Sequence, residues 1–252
     1  MATTDLAGRT ALVTGARRGI GFAIATALLE HGASVVVGGR DPDQFEGLRR
    51  RLDEIAPGRV LGCAADLTTE AGRAALLGAA PKIDILVNNA GGFTDVVDTR
   101  TSTEEEWNEQ LHLNLTVPFL LCQAVLPQMI ERKWGRIINI GSVVAAAPQL
   151  GNAIGYVAAK AGLVGFTKQL AAEVAALGVT ANVVNPGTIK TEHLGEYFDA
   201  SGVTEESIAT GIAVGRLGRP DEIAAVVPFL ASEQGAFTTG AVIDINGGAV
   251  SA

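Results

Sequence analysis

The chain is poor in the residues that build disulfide scaffolds, metal centres and nucleic-acid surfaces. Its 252 residues include two cysteines, three histidines, two tyrosines and two tryptophans. Cys63 and Cys122 both lie in apolar runs, where a buried free thiol is the expected state. Their separation fits neither a disulfide framework nor a metal-ligand pair, so no metal is expected. Positive charge is also scarce. Nineteen Lys and Arg against 27 Asp and Glu leave a formal net charge of −8, which excludes a nucleic-acid footprint for the chain as a whole. The local basic runs Arg49-Arg50-Arg51 and Arg132-Lys133 read as solvated helix faces. No uninterrupted apolar run is long enough to span a bilayer, and Met1 to Arg9 lacks the apolar core of a signal segment. These absences point to a reducing cytoplasm and no membrane partner.

Small and apolar residues are abundant instead. The 31 glycines and a hydrophobic content of 48% suit strands covered closely by helices on both faces. Strands are predicted at 10–13, 34–37, 59–63, 83–87, 136–140, 179–184 and 241–245. Helices are predicted at 21–30, 43–55, 70–78, 103–131, 154–177 and 221–230. This alternation defines an α/β fold: a doubly wound, seven-stranded parallel sheet of Rossmann type in three α/β/α layers. One domain over 1–252 is expected. The long strandless stretch at 187–219 reads as a substrate lid.

Strand one runs into Thr14-Gly15-Ala16-Arg17-Arg18-Gly19-Ile20-Gly21. Glycines at 15, 19 and 21 let a backbone approach a pyrophosphate, and the helix that follows offers unpaired N–H groups and a positive dipole end. The cofactor choice turns on the end of strand two. An acidic residue there would bind the ribose 2′-hydroxyl; this chain has Gly38-Gly39-Arg40. Arg40 with Arg18 suits a 2′-phosphate, so NADP(H) is expected. Asp41 follows at once and could serve the ribose, which keeps NAD(H) as the alternative.

Tyr156 and Lys160 are four apart on a predicted helix and share one face. Ser142 lies just past strand five, at the carboxyl edge where open α/β sheets place ligands. A free tyrosine is poorly matched to proton transfer at neutral pH, and a nearby ammonium would lower its pKa. Ser142 can hydrogen-bond the same substrate oxygen. Asn114 precedes Pro118, which has no N–H, so the Asn114 carbonyl loses its helical partner and a kink is expected there.

With these residues in hand, the chain resembles the short-chain dehydrogenase/reductases over essentially its whole length. The matching motifs are Thr14-Gly15 to Gly21, Asp66 after strand three, Asn88-Asn89-Ala90-Gly91 after strand four, Asn114, Ser142, Tyr156-x-x-x-Lys160 and Asn185-Pro186-Gly187. The stretches Arg216 to Glu222 and Asp244 to Gly248 are similar to the branch holding 3-oxoacyl-carrier-protein reductases and many secondary-alcohol dehydrogenases. The resemblance implies that Tyr156 is the general acid and base, that Lys160 lowers its pKa and holds the nicotinamide ribose, that Ser142 orients the substrate oxygen, and that Asn114 anchors a water in a proton relay. It implies cofactor contacts at Gly15, Arg17, Arg18, Gly19, Ile20, Gly21, Arg40, Asp66, Leu67, Asn89, Ala90 and Gly91. Pro186, Gly187, Ile189 and Thr191 would flank the nicotinamide. It also implies a homotetramer formed through the two long helices and the C-terminal segment. Gly92 departs from the family pattern, which frequently has an apolar residue there.

The pocket wall is expected from Val143-Val144-Ala145-Ala146-Ala147 with Gln149, Leu150 and Asn152 nearby, small apolar residues that would allow a bulky or apolar ketone; the expected substrate is a small-molecule ketone or alcohol. His193 reads as a surface histidine. Glu104 to Glu106 read as helix-capping residues, through Ser102-x-x-Glu105 or Thr103-x-x-Glu106. An acidic acyl-carrier protein would need basic residues near the mouth. Arg132 and Lys133 are available, but Leu177-Gly178 closes the next long helix without a charge. A generic ketone or alcohol therefore ranks first, 3-oxoacyl-carrier-protein reduction second and a non-catalytic cofactor sensor third.

Overall fold

The computed structural model describes residues 4–93, 99–147, 152–192, 194 and 204–250. Seven strands, β1 (Thr10–Val13), β2 (Ser34–Gly39), β3 (Val60–Ala64), β4 (Ile85–Asn88), β5 (Gly135–Ile140), β6 (Val179–Pro186) and β7 (Val242–Ile245), form one sheet in the order β3-β2-β1-β4-β5-β6-β7. Every pairing is parallel. Successive strand residues point to opposite faces, so β-branched and leucine runs feed two cores. Ala11, Val13, Val35, Val37, Ile85 and Val87 face one; Leu12, Val36, Leu86 and Ile137 face the other.

The first core is covered by α1 (Gly19–Glu30) and α2 (Pro42–Asp53), and Ile223, Val227 and Leu230 from later helices pack into it. The second is covered by α3 (Glu70–Leu77) together with α5 (Val117–Glu131) and α6 (Ile154–Val174). Strand order reverses between β1 and β4, which opens a crevice at the carboxyl ends of the strands.

The expected helix at 103–131 is broken. It consists of α4 (Glu104–Leu111), a π-helical turn at His112–Thr116, and α5. Pro118 cannot donate, and the ladder shifts register: the Val117 N–H reaches back five residues to the His112 carbonyl. A bulge thus replaces the expected kink. Thr103 and Glu106 form the capping box that starts α4. By length and composition alone, the stretch 104–131 is long and apolar enough to cross a membrane, against the expectation that no run would be. Its apolar content has a local cause: α5 lies on the sheet and buries Val117, Leu121, Cys122, Val125 and Met129.

The expected helix at 221–230 is two short ones, α8 (Pro220–Ala224) and α9 (Val227–Ala231), the second with Pro228 in its first turn. The stretch 187–219 contains α7 (Glu205–Ala209) and an isolated bridge between Ile189 and Gly218. His193 and residues 195–203 lie outside the described residues.

At the opposite, amino-terminal edge of the sheet a charged clasp holds distant parts of the chain. Trp134 lies under the Arg9 guanidinium, 3.5 Å from the ring centroid, and beside that of Arg136 at 4.4 Å. Its indole N–H donates to Glu233, whose carboxylate also pairs with Arg9 at 3.4 Å and Arg136 at 3.6 Å. Beside it, buried Asp84 accepts from the Thr10 N–H and pairs with Lys82 and Arg132. This puts Arg132 at the edge remote from the crevice and not at its mouth, where an acidic carrier would need it.

Leu86 is fully buried in the second core. Leu86→Ala is expected to lower the unfolding free energy by about 2–5 kcal/mol with the urea m-value unchanged, and equilibrium unfolding of the two proteins measures this.

Candidate active site

The crevice at the carboxyl ends of the strands holds a cleft of about 2460 Å³. That exceeds the range of about 300–1,000 Å³ usual for one small ligand and leaves room for two molecules side by side. Every residue expected to contact a cofactor lines it, as do Ser142, Tyr156 and Lys160. Asn114 is the exception: it is fully buried behind Gly91 and Gly92.

One end of the cleft is built by the glycine loop. A side chain at Gly21 would collide with the Gly15 carbonyl, so the loop can fold this tightly only with glycine there. Helix α1 starts at Gly19 with no side-chain cap. Its first-turn N–H groups are therefore available to a ligand at the end where the helix dipole is positive. Thr14 fastens this loop to the strand-four loop. Its hydroxyl accepts from the N–H groups of Asn89 and Ala90, both at 2.9 Å, while the Asn89 amide donates to the Thr14 carbonyl. Exposed Arg40 lies at the end of β2 on the cleft wall. Asp41, the alternative ribose ligand, is engaged elsewhere, as the N-cap of α2 that accepts from the Gln44 N–H at 2.8 Å. Asp66 is fixed by the N–H and hydroxyl of Thr68, and these bonds hold its carboxyl below the usual range.

At the other end, Ser142 leaves β5 and opens a 3-10 turn at Val143–Ala145. Its backbone N–H donates to Asn185, whose amide in turn donates to Asp244. Three strands therefore orient one serine. Tyr156 and Lys160 sit one turn apart on α6, with the Lys160 Nζ 5.6 Å from the tyrosine ring centroid. Lys160 is buried and donates to the Ile140 carbonyl at 2.8 Å. Burial lowers its pKa to about 8.

Tyr156 moves the other way from the sequence expectation. Burial raises its pKa, opposed by a hydrogen bond with Ser142. Desolvation disfavours the phenolate more than any neighbour favours it. Both groups are thus pushed toward their neutral forms.

The Asn114 side chain is fully engaged. Its oxygen accepts from the Gly92 N–H at 2.9 Å, and its amide donates to the Gly92 carbonyl and to Gln110. This clamp holds Gly92 at φ +127°, a left-handed conformation that accounts for glycine where the family pattern has an apolar residue. Gly92 in turn sets Phe93 against Tyr156, with ring centroids 5.1 Å apart.

Phe93, which sequence reasoning did not single out, is a cleft-wall residue, as are His112, Leu194 and Ile208. The expected wall is not: Val143 and Val144 are buried behind Ser142. Asn152 does line the cleft, while Gln149 and Leu150 lie outside the described residues. The only advance signal for Phe93 is an aromatic beside a glycine that breaks a motif.

The geometry is that of a dinucleotide site joined to a serine–tyrosine–lysine site. The short chain dehydrogenase family profile matches residues 9–202. The 3-oxoacyl-(acyl-carrier-protein) reductase of Vibrio cholerae is 43% identical over 246 residues, covering 97% of this chain and 98% of that protein. A putative gluconate dehydrogenase from Agrobacterium tumefaciens superposes with a TM-score of 0.91 at 29% identity, each chain covered completely. A 3-oxoacyl (acyl-carrier-protein) reductase from Agrobacterium tumefaciens C58 with NADP bound superposes with a TM-score of 0.89 at 33% identity, covering 98% of this chain and 96% of that one. The chain belongs to the short-chain dehydrogenase/reductase family and is an oxidoreductase.

The buried lysine has a measurable signature. Its folded pKa of about 8 lies below the ordinary lysine value of 10.5. Between those values the unfolded chain binds more protons, so the contribution of Lys160 to stability rises with pH. Lys160→Met removes the buried charge. It should exceed the wild type in stability at pH 7, by up to about 3 kcal/mol, and the gap should close as pH rises toward 10. Denaturant unfolding of the cofactor-free proteins across that range checks it; a gap that widens with pH would contradict the assignment.

Proposed function

We propose that this chain is an NADP(H)-dependent reductase of 3-oxoacyl thioesters carried on an acyl-carrier protein. The observation that carries the chemistry is the buried Lys160 one turn from a Tyr156 whose phenol is hydrogen-bonded to Ser142. The residues fit the cofactor. The uncapped N-terminus of α1 and the glycine loop would take the pyrophosphate, and Arg18 and Arg40 the 2′-phosphate. Asp66 and Leu67 would take the adenine, and Pro186, Gly187, Ile189 and Thr191 the nicotinamide side. Because Asp41 caps α2, the rival ribose contact is weakened and NADP(H) favoured. The NADP-bound structural relative supports the same choice.

When bound, NADP(H) supplies the hydride; the remaining work falls to the chain. Ser142 orients the ketone oxygen. Tyr156 donates its proton to that oxygen as the hydride reaches carbon, and in oxidation takes it back. The ammonium of Lys160 stabilises the phenolate this leaves. Asn114 positions the turn through which water would return the proton. The whole chain acts as one domain, with Ile189, Leu194 and Ile208 of the expected lid on the wall of the cleft beside the substrate. Exposed Phe119, packed edge-on against Phe166, belongs to the surface through which we expect a homotetramer to form. A reductase of this kind would work in the cytoplasm.

From the sequence alone a generic ketone ranks above a carrier-bound acyl group. Similarity over 97% of the chain to a 3-oxoacyl-(acyl-carrier-protein) reductase reverses that order. One observation favours the free ketone: Glu104, Glu105 and Glu109 line the cleft, where they would repel an acidic carrier. Comparing kcat/KM for acetoacetyl-carrier protein, acetoacetyl-coenzyme A and simple ketones separates the readings. A preference for the carrier thioester is expected; a preference for free ketones would overturn the substrate assignment. A non-catalytic sensor has no need of a buried acid, and Tyr156→Phe tests it. Turnover should fall about 10²–10⁴-fold while NADPH binding persists, whereas a sensor would keep its output.

Arg40→Asp should weaken NADPH binding tenfold or more, on the order expected for losing a charge-assisted bond and adding a like charge, and leave NADH binding no weaker, because an acidic residue there can bind the ribose 2′-hydroxyl. Fluorescence titration with both cofactors reads this directly.

A further inference from the structure

We infer that His112 is a positioning residue for the adenine end of the cofactor site, holding the loop after β3 against the π-turn across the cleft. The inference rests on the NADP(H) reading above and adds a residue that the family motifs quoted earlier do not include.

The loop that carries Asp66 is short and lies on the cleft wall with Leu67 and Thr68. Inside the loop, the Thr68 N–H and hydroxyl both donate to Asp66 Oδ1, at 2.9 and 2.8 Å. Arg73 donates to the Leu67 carbonyl at 2.9 Å and the Thr68 carbonyl at 3.1 Å. Arg73 sits on α3, which continues directly from this loop, so its bonds move with the loop and do not locate it. His112 is different. It comes from the first residue of the π-turn, 44 positions further along the chain, and its Nε2–H donates to the Thr68 carbonyl at 2.9 Å.

An anchor must itself be fixed. Two residues on, Asn114 is fully buried and makes bonds to the Gly92 N–H and carbonyl, the Gln110 carbonyl and the Gln110 Oε1. The register shift forced by Pro118 lies within the same turn. The π-turn is thus a rigid post, and His112 joins it to the loop whose carboxylate would receive the adenine. This bond ties the loop to the π-turn across the adenine slot, and Thr68, bonded directly to Asp66, passes the constraint to the carboxylate.

The probe is 2′-phospho-ADP-ribose, which carries the adenine half of NADP without the nicotinamide, titrated calorimetrically into the full chain. His112→Phe keeps a ring and removes the donor; His112→Gln keeps a donor of similar reach. His112→Phe should bind the probe about fivefold more weakly, the size of one neutral hydrogen bond. His112→Gln should stay within about twofold of wild type, a rescue that a role confined to packing of the π-turn would not show. If His112→Phe does not fold, His112→Ala removes the same donor. Wild-type affinity in the donor-less variant, or equal weakening in His112→Gln, would overturn the inference alone. A wild-type protein that binds neither the probe nor NADPH would overturn the cofactor reading and this inference together.

Discussion

The site depends on a lysine ammonium held almost entirely out of water at the floor of the cleft. Lys160 is buried beneath the cleft and tied to the carbonyl of Ile140, the last residue of β5. An ion in such a place is costly unless something repays it, and one carbonyl dipole repays only part, which is why its pKa lies near 8. The cost is tolerated because the ammonium is one turn from Tyr156. A phenol that is also desolvated holds its proton in the resting state. Two groups each reluctant to carry charge alone become well matched when a proton leaves one of them.

Much of the machinery around that pair exists to keep it still. The parallel sheet delivers Ser142 and Asn185 to neighbouring strand ends, and the Asn185 side chain bonds to both Ser142 and Asp244. Thr14 and Asn89 lock two adjacent loops together through reciprocal bonds. Asn114 does the same for Gly92. In each case a short polar side chain satisfies backbone groups that the sheet leaves unpaired where it ends.

The strands and most of the cleft were legible in the sequence because they depend on local signals. Short β-branched runs between helical patterns marked all seven strands, and the spacings of Gly15, Gly19 and Gly21 and of Tyr156 and Lys160 marked the two halves of the site. What was not legible depends on what happens at a distance. Pro118 announced a lost hydrogen bond, but whether the helix would kink or slip register is settled by the packing of α4 and α5. The direction of the Tyr156 shift required knowing how deeply the ring is buried. Asp41 is equally suited, as a residue type, to a ribose or a helix cap, and only the start of α2 decides. Val143 and Val144 were assigned to the pocket because they follow Ser142, yet the 3-10 turn rotates them into the core. The Arg132 placement failed for a similar reason: proximity along the chain to β5 says nothing about which end of the strand is near the mouth.

The clasp of Trp134, Arg9, Arg136 and Glu233 ties the entry of β1, the entry of β5 and the segment after α9 at the edge farthest from the cleft. Its location separates two kinds of inheritance. Loops at the carboxyl ends can exchange residues and acquire new substrates while the far edge keeps the strands in register. A scaffold fastened at its base tolerates experiment at its rim, and a substitution at Glu233 would narrow the range of active-site variants that still fold.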